Sequence, residues 1–387
     1  MLSKNKKLDF TLLDDCFMVK NCGTGKYVKL GSRETRFLYD LIGEEVIPVP
    51  AGEEMPSLRP EEKRFLQSKF EQFGFIGKSA DVRREKRNVF DCSIVSFGNS
   101  RICKKWIGFW AGFISKGGLA LLFLSLVAML SMVKLFYPVY LRAVSTVVTE
   151  TRWSAMIAMY LIYLISGIFH ETGHLAACWK FTGMYGRFGL KLYFGFPAFY
   201  SDVSDIYRSS KRMHGIVTAL AGVLMNLELF FLSLCLIPAF AKAERLMSCL
   251  LMFGAFNLGS FIVNLIPFAK FDGYWLIRNI SGINYLYDKS VSLAMLFLLR
   301  HGSYSMLQEK KKSLLALYGA ACLAYSVCLW YLFAKAVMTY LELLKLSDTG
   351  MQIGRILLWI VVLAGEGSFC VRYYSKARNY IGENAAY

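Results

Sequence analysis

Trp153-Ser-Ala-Met-Ile-Ala-Met-Tyr-Leu-Ile-Tyr-Leu-Ile-Ser-Gly-Ile-Phe-His-Glu-Thr-Gly-His-Leu-Ala-Ala-Cys-Trp179 decides how this chain is read. The run is apolar and long enough to cross roughly 30 Å of bilayer hydrocarbon. Near its end it carries His170, Glu171 and His174, side chains that are costly in lipid unless they pair or act. Helical spacing puts His170 and His174 on one face, where two imidazoles can hold one Zn²⁺. Glu171 lies beside them, within reach of a water on that ion. An H-E-x-x-H sequence of this kind hydrolyses peptide bonds. With only four histidines in the chain, two framing a Glu at this spacing is not a chance expectation. The bland alternative is a buried His-Glu pair without metal.

Outward from this helix, the 387 residues are 55% hydrophobic and 19% charged, which excludes a disordered chain and argues against an ordinary soluble domain. Spans are expected at about Gly117 to Tyr140, Trp153 to Trp179, Gly215 to Phe240, Leu246 to Pro267, Leu314 to Leu341 and Ile353 to Val371. The fold class is therefore mainly α, a polytopic membrane protein with about six transmembrane helices. With the N-terminus inside, the inner loops hold Lys180, Arg187, Lys191, Arg208, Lys211, Arg212, Lys270, Arg278, Lys289, Arg300 and Lys310 to Lys312. The tail adds Arg372, Lys376 and Arg378, against only Arg142, Arg152, Lys242, Arg245 and Lys345 outside. This asymmetry predicts a multi-pass bacterial membrane protein with both termini cytoplasmic, and it accounts for the net charge of +17 without nucleic acid. Met1 to Phe10 has no apolar run after its lysines, so no secretory signal is read there. The ten cysteines contain no C-x-x-C pair, so neither a disulfide framework nor a cysteine zinc site is expected.

Residues 1–78 carry no spanning run and read as a small α+β domain. Leu8 to Leu13 and Phe17 to Leu30 suggest strands turning near Asn21-Cys-Gly-Thr-Gly25. Amphipathic helices follow over Arg33 to Ile42, stopped by Gly43, and over Arg59 to Phe73. The domain has its own apolar faces, so neither it nor the membrane body is expected to need the other for its core. Residues 79–116 form a basic linker in which Arg83, Arg84, Lys86, Arg87, Arg101, Lys104 and Lys105 alternate with Trp106, Phe109 and Trp110. That pattern suits the surface of an anionic leaflet. Residues 117–387 form the membrane body.

A catalytic zinc site has three protein ligands and an open position. His214 and His301 are available, although both read as interfacial residues. Asp272 is the better placed third ligand, since the second and fourth spans both run inward and bring Asp272 to the level of His170 and His174. An ordinary Asp-Gly turn is the other reading of Asp272-Gly273. Gly186 to Pro197 reads either as a re-entrant hairpin whose edge pairs with an extended substrate or as an interfacial loop packed into lipid.

His170-Glu-Thr-Gly-His174, Asn264-x-x-Pro267 and Asp272-Gly273 together resemble the site-2 protease family of intramembrane zinc metalloproteases. Ala221-Gly222-Val223-Leu-Met-Asn226 resembles that family's Gly-and-Asn motif, with Val223 where Pro is usual. The strands and helices of residues 1–78 resemble the winged-helix peptide-recognition domain of ribosomal peptide maturation systems. Asp272-Gly-Tyr-Trp275 and Tyr200-Ser-Asp-Val-Ser-Asp205 are similar to the wording of the subgroup that joins such a domain to the protease core. The resemblance implies Zn²⁺ on His170, His174 and Asp272, and Glu171 as the catalytic base. It implies Asn226 and Asn264 as groups that bond substrate backbone or the oxyanion. The implied substrate is a precursor or membrane-associated peptide, such as a ribosomally made one, with export or modification proteins as partners. Regulated cleavage of a transmembrane regulator, and a non-catalytic peptide-binding or export component, are the competing functions.

Overall fold

The computed structural model describes residues 8–13, 16–23, 25–43, 58–72, 74–76, 91–97, 101–149, 153–193, 196–299, 311–343 and 348–385. The expected basic residues Arg83, Arg84, Lys86 and Arg87, and His301, lie outside them. The chain forms two compact units, Met1–Phe261 and Ile262–Tyr387.

The first unit opens with the antiparallel sheet β1 (Leu8–Leu12), β2 (Phe17–Asn21) and β3 (Tyr27–Leu30), followed by α1 (Ser32–Ile42) and α2 (Pro60–Gln72). The β2–β3 turn closes because Asn21 Oδ1 accepts from Gly23 N at 2.9 Å and Gly25 takes φ +71°. Asn21 Nδ2 also donates to Gly74 O at 2.7 Å, which ties the turn to the end of α2. Gly43 stops α1 in the left-handed conformation, its N–H bonded to Tyr39 O. Alternation along the strands and the 3.6 period of the helices place Phe10, Phe17, Val19, Leu30, Leu38, Tyr39 and Phe70 in one core. Phe10 stacks on Tyr39 there, with ring centroids 4.6 Å apart.

Beyond this sheet the elements are β4 (Asp91–Phe97), α3 (Arg101–Phe113), α4 (Lys116–Leu135), α5 (Tyr137–Thr149), α6 (Trp153–Thr182), β5 (Phe188–Tyr193), β6 (Phe196–Ser201), α7 (Arg212–Leu236) and α8 (Glu244–Leu265). The boundary between the two units falls within α8. Two expectations are corrected here. The linker is not merely an interfacial tract: β4 pairs antiparallel with β5, and β5 with β6, in the order β4-β5-β6. Helix α3 packs Ile107 and Ala111 against Leu175 and Ala176 of α6, turning Arg101, Lys104 and Lys105 outward. The first span ends at Leu135 rather than Tyr140, because the chain breaks at Phe136 and restarts with Pro138, whose missing N–H fits the first turn of α5.

Among the described residues, five helical segments are long and apolar enough to cross a membrane: Lys116–Leu135, Arg212–Phe240, Glu244–Leu265, Lys312–Thr339 and Thr349–Lys376. The second expected span corresponds to α6, so the five do not by themselves make up the expected six. Helix α6 carries two histidines, Glu171 and Lys180 in its second half, and α3, α7 and β6 pack against it.

The front sheet makes polar contacts with the segment after β6. A 3₁₀ turn, Ser204–Arg208, follows β6, and its Asp205 is 4% exposed. Asp205 accepts from Lys20 Nζ at 2.8 Å and from Tyr27 Oη, while Arg208 pairs with Asp9 and lies 3.2 Å from Asp205. Burial pushes the Asp205 carboxyl up, yet the Lys20 and Tyr27 hydrogen bonds hold it below its ordinary value of 3.8. Burial likewise pushes Tyr27 up, to about 12, so its hydroxyl stays a donor. Asp205→Asn removes the charge that neutralises Lys20. It is expected to weaken docking of β1–β3 by about 2–3 kcal/mol, less than a fully buried pair because Lys20 keeps some exposure. Hydrogen exchange of residues 17–30 in the full chain measures this. Because the folded pKa is depressed, the contribution is complete above the ordinary carboxylate value and is lost as pH falls through the lower folded value.

The second unit holds α9 (Asp272–Ser281), α10 (Leu286–Leu298), α11 (Lys312–Leu343) and α12 (Asp348–Ala385). Its core gathers Tyr274, Leu286, Val291, Leu293, Leu296 and Cys322. Two bonds pin the segment leading into α9: Tyr318 Oη donates to Pro267 O at 2.5 Å, and Lys270 Nζ reaches Asp288 at 3.2 Å. Lys376 of α12 meets the same carboxylate at 2.5 Å.

Candidate metal centre

His170 and His174 stand one turn apart on α6, as the spacing requires, and their Nε2 atoms are 3.2 Å from each other. Each ring is held from behind. His174 Nδ1 donates to Thr218 O on α7 at 2.7 Å, and His170 Nδ1 bonds Asn226 Oδ1, also on α7. Partners of this kind fix ring orientation and leave Nε2 as the atom able to ligate a metal. With both Nδ1 atoms protonated, the two Nε2 lone pairs would repel at this distance unless a cation met both. The 3.2 Å separation is close to what two Zn–N bonds of about 2.0–2.1 Å leave near the tetrahedral angle. The residues present therefore fit zinc.

Close approach of α6 and α7 makes this arrangement. A Cβ on Gly173 would stand 2.6 Å from Ala221 O, and one on Gly222 would stand 2.3 Å from His174 Nε2. Gly222 is thus required by contact with the imidazole, not by backbone conformation. Val223 is fully buried and α7 runs unbroken through it.

Glu171 is half-buried next to His170, and Ser201 Oγ donates to its Oε2. Ser201 ends β6, which lies along α6: Tyr163 Oη bonds Pro197 O, and Phe199 occupies the space a side chain at Gly167 would take, 2.7 Å from its Cβ. Phe188–Tyr193 and Phe196–Ser201 accordingly pair as antiparallel strands, and among the described residues β6 pairs with β5 alone and forms the sheet edge. On the opposite side, Trp106 Nε1 of α3 donates to Thr172 Oγ1 at 3.1 Å, and Trp106 and Trp110 meet Phe169 edge-on. Nothing in the residue types announced Ser201 or Trp106 as neighbours of the motif.

Asn226 does not have the free amide that substrate or oxyanion binding needs. It is 1% exposed, its oxygen is on His170, and its Nδ2 donates to Asn257 Oδ1 at 2.9 Å. His214 is turned to Ser209 Oγ, at 2.6 Å, and stacks on Phe181 at 4.1 Å. In the second unit, Asp272 is the first residue of α9 rather than a turn residue. Gly273 is needed because a Cβ there would meet Leu265 O at 2.2 Å. Asn264 is half-buried in the last turn of α8.

No protein-family profile matches the chain, and no solved structure does. A Bacillus subtilis (strain 168) protein named "Putative peptide zinc metalloprotease protein YydH" is 29% identical over 127 residues, which is 32% of this chain and 48% of that one. The chain thus spans about half the length of this curated relative.

Proposed function

We propose that the chain is a membrane-embedded zinc endopeptidase that cleaves a precursor or membrane-associated peptide, with His170, His174 and Asp272 as zinc ligands. The observation that supports this most is the pair of Nε2 atoms 3.2 Å apart, with Glu171 fixed beside them by Ser201. The name of the B. subtilis relative agrees with it. Two imidazoles and one carboxylate leave a fourth zinc position open, as hydrolysis requires. When bound, zinc supplies Lewis acidity toward the scissile carbonyl and makes water more acidic.

The protein's own groups do the rest. Glu171 takes the proton of the attacking water and later delivers it to the leaving amine. Ser201 occupies one carboxylate oxygen, and the other is the one assigned to that proton. The free side of β6 gives an extended substrate a row of backbone partners beside α6, which a helical peptide, with its amides internally bonded, cannot use until it unwinds. We assign residues 1–78 the winged-helix, peptide-recognition role, and place the protein in the bacterial cell membrane with both termini cytoplasmic. Asn264 is kept as a substrate-backbone ligand; Asn226 is not, since its amide is already engaged.

Metal analysis of the purified full chain tests the reading: one zinc per chain is expected, with His170→Ala and Asp272→Ala each losing it. Full occupancy in Asp272→Ala would remove Asp272 from the ligand set, and a wild-type chain that cannot hold zinc would refute the proposal.

A further inference from the structure

The state of the His170 ring depends on a residue that does not touch it. On His174 the assignment is direct, because Nδ1 faces the Thr218 carbonyl oxygen, which can only accept. On His170 the partner is an amide, and an amide can turn end for end. The choice is made one step further away. Asn257 Nδ2 donates to the backbone oxygen of Phe253 at 2.8 Å, an acceptor that cannot be reversed, and to Ser166 Oγ at 2.9 Å. Asn257 must then present Oδ1 to Asn226, which answers with Nδ2 at 2.9 Å. This leaves Asn226 only its oxygen for His170, so the proton of that ring sits on Nδ1 and Nε2 is bare.

We propose that Asn257 and Asn226 are positioning residues that set the His170 tautomer, so that one zinc ligand is built before metal arrives; this rests on the zinc reading above. The two asparagines are 0% and 1% exposed on the apolar helices α8 and α7, where a buried amide persists only when its bonds are made. A role as interhelical glue alone would need the Asn226 to Asn257 bond but would be indifferent to which end of Asn226 meets His170. The relay is not indifferent. Its direction runs from the Phe253 carbonyl on α8, through α7, to the ring on α6.

The test uses the full chain in detergent with ring-¹⁵N histidine, stripped of metal by a chelator. Long-range ¹H–¹⁵N correlation separates the two tautomers, and His170→Ala assigns the signal among the four histidines. Wild type is expected to show the proton of His170 on Nδ1. Asn257→Leu frees Asn226 to turn, and should move a measurable fraction of that proton to Nε2 and lower zinc affinity about 10–100-fold. Asn226→Asp, when ionised, offers His170 acceptors only, and should keep the wild-type tautomer. An Nε2–H signal on His170 in the wild-type chain overturns the proposal whether or not the variants fold. So does an unchanged tautomer in a folded Asn257→Leu chain. If the tautomers follow expectation but no zinc binds, the relay stands and the endopeptidase reading fails.

Discussion

Glu171→Gln is expected to lower peptide hydrolysis by about 10²–10⁴-fold while zinc content stays at the wild-type level. The amide keeps the volume of the carboxyl and can still accept from Ser201 Oγ, so the hydrogen bond that places residue 171 beside His170 survives. What it cannot do is take a proton from water. Metal analysis and product counting on the same preparation separate the two effects. Unchanged turnover would remove Glu171 from the role of base. Loss of zinc together with activity would mean that the carboxylate holds the centre together rather than acting in the reaction.

Gly222→Ala should cost zinc affinity about tenfold to a hundredfold, although alanine is a better helix former than glycine by about 1 kcal/mol. The added methyl would lie 2.3 Å from His174 Nε2 and 2.7 and 2.8 Å from the neighbouring ring carbons, directly on the ligating edge. Helix α7 cannot give way easily, because Thr218 and Asn226 hold the two imidazoles from the same helix. Gly259→Ala on α8 is the comparison: nothing lies within 4 Å of its new methyl, so zinc affinity should be unchanged. Competition with a chromogenic chelator measures both. Equal affinities in the two variants would show that contact with Gly222 does not shape the site.

Local signals in the sequence carried far. The spacing of His170 and His174, the Asn21 to Gly25 turn and the Gly43 stop are decided within a few residues, and each appears where local chemistry puts it. Much of the rest depends on partners distant in sequence. Strand β4 follows a basic tract and contains a register shift between Ser93 and Val95, which interrupts the alternation that marks a strand. Asp205 meets Lys20 across 185 residues, and no single stretch reveals that pairing. Asn226 read as a substrate ligand because Ala221 to Asn226 resembles a Gly-and-Asn motif; only the positions of His170 and Asn257 show both ends of its amide in use. The first span read through Phe136 because hydropathy is blind to the missing N–H of Pro138.

The central claim is that water activated beside Glu171 cleaves a peptide bond. It is tested most directly by mass spectrometry of candidate precursor or membrane-associated peptides, incubated with the purified zinc-loaded protein in ¹⁸O-labelled water. The account predicts two fragments, with one heavy oxygen in the new carboxylate of the N-terminal fragment, and none from Glu171→Gln. An intact peptide in the presence of a fully zinc-loaded, folded chain, or equal fragment yields from wild type and Glu171→Gln, would contradict it.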